Sequence, residues 1–339
     1  MRLLQVHLSG NKGGANSAIR YLQTGMDRIG HRCDIEMRNP IASMGRVGYD
    51  GAIFHSFTDV NREAYFEAIN FAEASGLPHI IAMHDYWPFC LQNNMVMPSE
   101  GWKRCLVDVM HPCDPKKCGL HSPEKRLYPE KRLYPELEDK NVVCFTEKAR
   151  ELFVNAGFSN THLIEHGVDT KSFIPRGGPR SPMRVLFTNA WGRKVIKGWN
   201  HWDWLKNHPV DGISYEEMLG NTIHSHMPGI YSGADCALFL SLWDETFGLV
   251  VAEAMACGTP VISYPVGIAP KLLSKGGGFI VESSNPEDVL EKIELMRDMS
   301  MEEKVSLGER ARSIVEEDYG VERMAREYVV LFERLRGLI

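Results

Sequence analysis

The chain has 339 residues, 44% hydrophobic and 24% charged, an ordinary soluble composition with room for two domains and a large buried core. Its 38 lysines and arginines against 44 aspartates and glutamates leave a net charge of −6, which argues against a main partner that is nucleic acid held through its phosphates. No apolar run reaches the length of a bilayer span and the run at 3–8 is too short for a secretory signal, so the expected location is the cytoplasm.

Residues 3–8 read as a first strand, followed by the glycine-rich turn Ser9-Gly10-Asn11-Lys12-Gly13-Gly14 and a helix over 15–29. Gly13 and Gly14 let backbone amides approach an anion, and the helix start adds its dipole; the alternative is a plain tight turn. Strands follow at 31–37, 51–57 and 78–84, with a helix over 61–75, an alternation that indicates a parallel sheet covered on both faces. His84 and Asp85 close the last of these strands and so lie at the carboxyl end of the sheet, where ligands collect in such folds. A histidine that merely finishes a strand and bonds to backbone is the competing reading.

From 86 to 135 the alternation breaks into an irregular insertion that reads as a lid or acceptor platform. Within it the hexapeptide Glu-Lys-Arg-Leu-Tyr-Pro occurs twice in direct succession, at 124–129 and 130–135. Lys103, Arg104, Lys116, Lys117, Lys125, Arg126, Lys131 and Arg132 make it basic, suited to an anionic acceptor or to weak peripheral contact with a membrane's inner face, or simply to a solvated loop. Eight cysteines are scattered along the chain. Cys33, Cys144, Cys236 and Cys257 fall in apolar patterns that suit reduced, buried thiols, whereas Cys105, Cys113 and Cys118 lack the short knuckle spacing of a zinc site; metal, disulfide and free thiols all stay open for them.

The sheet resumes at 141–145, a helix covers 147–156, and His166-Gly167-Val168-Asp169 follows. Pro175-Arg176-Gly177-Gly178-Pro179-Arg180-Ser181-Pro182 has the composition of an interdomain linker. A second sheet starts at 183–188, and the loop after it carries Arg193 and Lys197, two cations able to meet a leaving diphosphate or to stand as ordinary surface charges. A strand over 235–241 delivers Glu245; helix capacity runs over 248–257 with Gly258 as its stop; and a strand at 261–264 and helices over 286–299, 301–317 and 321–336 complete the chain.

Glu253 stands among Val250, Val251, Ala252, Ala254 and Met255, where a carboxylate is costly to bury unless strong donors meet it. A ribose diol would be such a donor pair. Thr246, Phe247 and Gly248 offer backbone amides at the helix start, where a phosphate is favoured, and Glu245 just upstream would face whatever that phosphate carries. The arrangement describes a nucleotide-sugar pocket. Its alternative is a surface acid at 245 and a paired core carboxylate at 253.

The spacing Glu245-x7-Glu253, with Phe247-Gly248 and the run Glu253-Ala-Met-Ala-Cys-Gly-Thr-Pro-Val261, resembles the signature of the family-4 retaining glycosyltransferases of the GT-B fold. The run from Cys144 to Phe173, with its Gly167-Val168-Asp169 turn, is similar to the end of that family's first domain. The resemblance implies an α/β architecture: two Rossmann-like domains, their parallel sheets facing a central cleft, with the second domain trimmed. It also implies an acceptor-side domain over 1–173, a linker at 174–182, a nucleotide-sugar domain over 183–320 and a last helix at 321–339 that crosses back. Glu245, His84, Arg193 and Lys197 are the implied catalytic residues, and Gly13, Gly14, Arg193, Lys197, Thr246, Phe247, Gly248 and Glu253 the implied donor-binding ones. The gap between Arg193 and Lys197 is shorter than the family's, and the stretch after Gly198 carries Trp199-Asn200-His201-Trp202 where the family has further strands and a helix, which leaves recognition of the base unassigned. The implied activity is transfer of a sugar from a nucleotide diphosphate sugar to an acceptor hydroxyl, in polysaccharide or glycoconjugate synthesis. No Asp-x-Asp occurs in the chain, so no metal cofactor is expected and the diphosphate falls to cations and amides. The rival is a catalytically silent GT-B protein that binds a sugar nucleotide or partners an active enzyme; sugar-nucleotide epimerisation has little support in these motifs.

Overall fold

A computed structural model describes residues 1–8, 14–46, 48–56, 61–88, 90, 96–97, 103–104, 135–188, 195–218 and 222–339, with 96–97, 103–104 and 135 through their backbone alone. They divide into two compact units, Met1–Gly167 with Val321–Ile339, and Val168–Gly320.

The first unit runs β1 (Arg2–Val6), α1 (Gly14–Arg28), β2 (Arg32–Glu36), α2 (Pro40–Arg46), β3 (Gly51–Ser56), α3 (Arg62–Ala74), β4 (His79–Met83), β5 (Val96–Met97), β6 (Lys103–Arg104), β7 (Asn141–Cys144), α4 (Glu147–Asn155) and β8 (Asn160–Leu163). Six of its strands form one parallel sheet in the order β2-β1-β3-β4-β7-β8, while β5 and β6 pair antiparallel by themselves. Every residue of β3 is buried, as expected of a strand covered on both faces. Asn61 and Thr146 cap α3 and α4 by accepting from the backbone N–H of Ala64 and Ala149. The short helix α2 had no periodicity to announce it; Asn39 caps it and Pro40 opens it. Tyr86 and Trp87, expected to start the irregular insertion, are buried. Cys105, Cys113, Cys118 and the doubled hexapeptide lie outside the described residues.

The second unit runs β9 (Met183–Phe187), α5 (Trp199–Lys206), β10 (Ile213–Glu217), α6 (Met227–Ser232), β11 (Cys236–Phe239), α7 (Leu249–Ala256), β12 (Val261–Ser263), α8 (Ala269–Leu273), β13 (Gly278–Ile280), α9 (Pro286–Asp298) and α10 (Met301–Asp318). Its five parallel strands lie in the order β10-β9-β11-β12-β13. The tryptophan-rich stretch that stood in place of longer family elements folds as α5. Trp202 is wholly buried, stacked on Phe187 with ring centroids 5.0 Å apart, and His201 Nδ1 meets the Tyr264 hydroxyl at 2.7 Å. Trp202 is therefore core, with Trp199 and His201 half-buried and Asn200 exposed. The segments 229–235 and 266–270 contribute to α6 and α8, each helix with a proline in its first turn.

Val168 to Phe173, expected at the end of the first domain, cluster with the second unit. Val168 N–H donates to Tyr319 O at 2.7 Å, and the Phe173 ring lies 6.2 Å from that of Tyr231. The glycine and proline stretch that follows is tied to the same unit, where Arg180 N–H donates to Asp235 Oδ1 at 3.0 Å. The chain ends in α11 (Val321–Leu335), which belongs to the first unit. Val321, Met324, Ala325, Tyr328, Leu331 and Phe332 make one buried stripe at helical spacing. Each large member contributes about 1.5–3 kcal/mol by leaving water.

Cys33, Cys90, Cys144, Cys236 and Cys257 are buried free thiols, and burial pushes the Cys257 thiol up to about 12. Among the described residues no helix is long and apolar enough to cross a membrane, and no group of three or more His, Cys, Asp or Glu side chains is placed to hold a metal ion.

Candidate active site

The carboxyl ends of the second unit's strands converge on Glu245. It follows β11 in a loop that runs into α7, and it is buried to 8% exposure. Its Oε1 accepts from Lys197 Nζ at 2.5 Å and from the Ser241 hydroxyl at 2.6 Å. Charge-assisted bonds of this length are the strong ones, and a half-buried pair keeps much of its strength. No group among the described residues hydrogen-bonds Oε2, so one carboxylate oxygen is anchored and the other is not.

Lys197 reaches this carboxylate because two backbone segments come unusually close. Gly198 has φ +78°, and a Cβ there would stand 2.1 Å from Leu240 O. Only glycine permits that approach. Beside it Leu242 N–H donates to Ile196 O at 2.8 Å, fixing the turn that bears Lys197 against the end of β11. The ammonium also lies 4.8 Å from the centre of the Trp243 ring.

The loop carrying Thr246, Phe247 and Gly248 is held from the other side by the turn between β12 and α8. Ile268 N–H donates to Phe247 O at 2.7 Å, and a Cβ on Gly267, whose φ is +57°, would stand 2.2 Å from that oxygen and 3.0 Å from Glu245 Cβ. Gly248, at φ +91°, precedes α7; its carbonyl accepts from Val251 N–H at 3.0 Å, and the Leu249 and Val250 N–H groups ahead of that bond have no acceptor within the helix. A phosphate at this helix start would meet those amides and the positive end of the helix dipole.

Glu253, inside α7, is buried at 4% exposure. The cost of burying it is met within the protein, and a ribose is not needed to supply donors. Tyr231 Oη donates to Oε2 at 3.1 Å, and His224 Nε2 lies 3.3 Å from Oε1. Burial and the adjacent Glu253 carboxylate raise the Tyr231 phenol well above its usual value, so it stays a donor. His224 is the more exposed partner, and its ring stands 5.6 Å from that of Phe173. Tyr231, His224 and Ser241 were not singled out by sequence reasoning; Ser241, four residues ahead of Glu245, was the one with a readable signal.

In the first unit, His84 lies where its sequence position places it, just beyond β4, half-buried. Its Nε2 is 2.9 Å from His55 Nδ1, and its ring stacks 5.8 Å from that of His166. Gly14 is exposed as the first residue of α1. Gly13 and Arg193 lie outside the described residues. The structure thus brings Lys197, Glu245 and the helix start together in the second unit, with Glu253 on the same helix, and places His84 and Gly14 in the first.

Two units, each with a parallel sheet and helices between its strands, define the GT-B glycosyltransferase architecture. Two solved structures share it: HepE of Anabaena in complex with UDP-glucose, at TM-score 0.69 and 14% identity over 98% of this chain and 100% of that one, and a sucrose-phosphate synthase of Thermosynechococcus elongatus, at TM-score 0.67 and 17% identity over 100% of both chains. Residues 216–314 match the family model described as Glycosyl transferases group 1, a span that includes Glu245 and Glu253. N-acetyl-alpha-D-glucosaminyl L-malate synthase of Bacillus anthracis is 36% identical over 101 residues, 29% of this chain, and the chain spans only 26% of that relative's length.

Proposed function

We propose that this protein transfers a sugar from a nucleotide diphosphate sugar to an acceptor hydroxyl, with retention at the anomeric carbon and without a metal ion. The observation that carries the reading is the Glu245 carboxylate, held at one oxygen by Lys197 and Ser241 and open at the other, beside a helix start inside the matched glycosyltransferase span.

In this reading Glu245 Oε2 accepts from a hydroxyl of the transferred sugar. Lys197, with Arg193, faces the diphosphate, together with the amides of Thr246, Phe247 and Gly248. Glu253 receives the ribose hydroxyls. The bond from the anomeric carbon to the β-phosphate oxygen breaks, and the bond to the acceptor oxygen forms on the same face. The acceptor's proton passes to the departing phosphate oxygen. Charge grows on that phosphate as the bond stretches, so Lys197 and Arg193 bind the transition state more tightly than the ground state.

The test is nucleoside diphosphate release by purified protein from a panel of nucleotide sugars, beginning with UDP-glucose, with and without hydroxyl acceptors and with a chelator present. Release that survives the chelator, with the product anomer matching the donor's by NMR, supports the reading. Donors that raise the melting temperature yet release no nucleoside diphosphate would instead point to a silent sugar-nucleotide binder.

A further inference from the structure

The parallel sheet of the first unit ends in two edge strands of different character. β2 carries Arg32, Asp34 and Glu36 at alternate positions, charges of the kind that keep an edge from pairing further. β8, the other edge, reads Asn160-Thr161-His162-Leu163 and holds no acid, lysine, arginine or proline. Ile164 N–H donates to Cys144 O at 3.0 Å, so the even-numbered residues of β8 direct their backbone groups at β7. Successive residues of a strand face opposite ways, and the N–H and C=O of Thr161 and Leu163 therefore point off the sheet. Among the described residues no strand pairs with them on that side.

Beside this edge lies a groove of about 560 Å³, lined by 161–164, by Glu147 and Arg150 of α4 and by the face of α11 that bears Arg326, Val330 and Arg334. All of these residues belong to the first unit. Leu163 and Val330 are 37% and 38% exposed, two large apolar side chains left in water. The acids here are already taken: Glu147 pairs with Arg150, and Glu327 with Arg323 at 2.9 Å. Arg326 and Arg334 are exposed and have no carboxylate partner among the described residues.

The spacing along α11 selects the occupant. Residues four apart on a helix are separated by about 6 Å along its axis, and residues two apart on a strand by about 6.6 Å. Arg326, Val330 and Arg334 thus match, step for step, an acid, an apolar residue and an acid at alternate positions of one extended chain. Such a chain also satisfies the outward backbone groups of Thr161 and Leu163, which a lipid surface or a free anion does not. Pairing of β8 with the β8 of a second copy would bring like arginines together.

We propose that the edge of β8 and the arginine face of α11 form a docking groove for an extended acidic segment of a partner protein, bound as a seventh strand with the pattern acid-x-apolar-x-acid. The main chain supplies affinity, and Arg326 and Arg334 supply selectivity. No residue of the candidate active site takes part, so the inference stands apart from the sugar-transfer reading.

The test uses the full chain and a fluorescein-labelled peptide, Val-Thr-Glu-Thr-Val-Thr-Glu-Thr-Val, followed by anisotropy. Binding should saturate, and the same peptide with both glutamates changed to glutamine should bind about tenfold more weakly, the loss of two exposed ion pairs. Arg326→Gln and Arg334→Gln should each weaken the glutamate peptide about threefold. Leu163→Pro, which removes one outward N–H, should weaken it about tenfold. Amide exchange by NMR reads the strand in the wild type, whether or not the proline variant folds: bound peptide should slow exchange at Thr161 and Leu163. No binding at millimolar peptide, equal binding of the glutamine peptide, or unprotected amides at Thr161 and Leu163 overturns the proposal. So does an unbound peptide with Arg326 and Arg334 needed instead for a concentration-dependent dimer or for binding phosphatidylglycerol vesicles, which would assign the face to a second copy or a membrane.

Discussion

The carboxyl ends of the two sheets present opposite chemistries on the same kind of scaffold. In the first unit the strand ends and the segments after them deliver His55, His84 and His166, with the His166 ring stacked 3.8 Å from Phe145. Burial pushes His55 and His84 well below the usual imidazole value and His166 to about 3. In the second unit the corresponding ends deliver a carboxylate and an ammonium 2.5 Å apart. A parallel strand's end determines where a side chain is placed, whereas its surroundings determine whether it is charged. Burial first, and the neighbouring imidazoles second, disfavour the charged form of His55, His84 and His166, while Glu245 has Lys197 and the Ser241 hydroxyl.

If the charged end carries the chemistry, the largest effect comes from Glu245→Ala, which should cut turnover by about 10³-fold with the far-ultraviolet circular dichroism unchanged. Unchanged turnover would reject the site. Lys197→Met should follow at about 10²-fold, chiefly in kcat, because its charge meets one that grows only as the donor bond breaks. A loss confined to KM would assign Lys197 to ground-state binding instead.

Gly267→Ala tests whether the loop is held from behind by the turn between β12 and α8. The added carbon, on backbone at φ +57° and 2.2 Å from Phe247 O, should cost about 2–3 kcal/mol by urea unfolding. An unchanged midpoint would show that the loop yields freely. Glu253→Gln, which keeps an oxygen for Tyr231, should leave the fold intact and weaken donor binding about tenfold, the value of one charged hydrogen bond. Calorimetry with unaltered affinity would return Glu253 to a purely structural role.

The neutral end is tested by pH. The folded-state values of His55, His84 and His166 lie below those of the unfolded chain, so between about pH 3 and 6.5 the unfolded state binds more protons. Stability should therefore be full above pH 6.5 and fall as the pH drops through that window, by at most about 1.4 kcal/mol per pH unit for each histidine. Urea midpoints from pH 7.5 to 5 measure the slope, and His166→Phe should make it shallower. A midpoint that does not move across that range would mean the cluster ionises freely when folded.

The periodicity of the chain located most strands and helices within a residue or two. What it missed included β10, in the stretch expected to be trimmed, and the helices α2, α6 and α8, of seven residues or fewer, too short to show a repeat and started by prolines and caps. It also placed the unit boundary after Phe173, because glycine and proline there resemble a linker, whereas backbone pairing of Val168 with Gly320 assigns that stretch to the second unit. The Trp199-Asn200-His201-Trp202 stretch, which left recognition of the base unassigned, packs its Trp202 on Phe187 of a strand that precedes it by more than ten residues.

Local residue order was enough to determine the alternation of strand and helix, the Glu245 and Glu253 pair flanking a helix start, and the position of His84 at a strand end, because each depends on neighbours within a few residues. Tertiary structure alone decided which groups meet them. Lys197 reaches Glu245 across 48 residues, Tyr231 reaches Glu253 across 22, and Gln5 reaches His55 across 50. Hydrogen bonds of that range carry no sequence period, since they are set by which strands become neighbours in the sheet, and they determine which carboxylate oxygen of Glu245 is anchored.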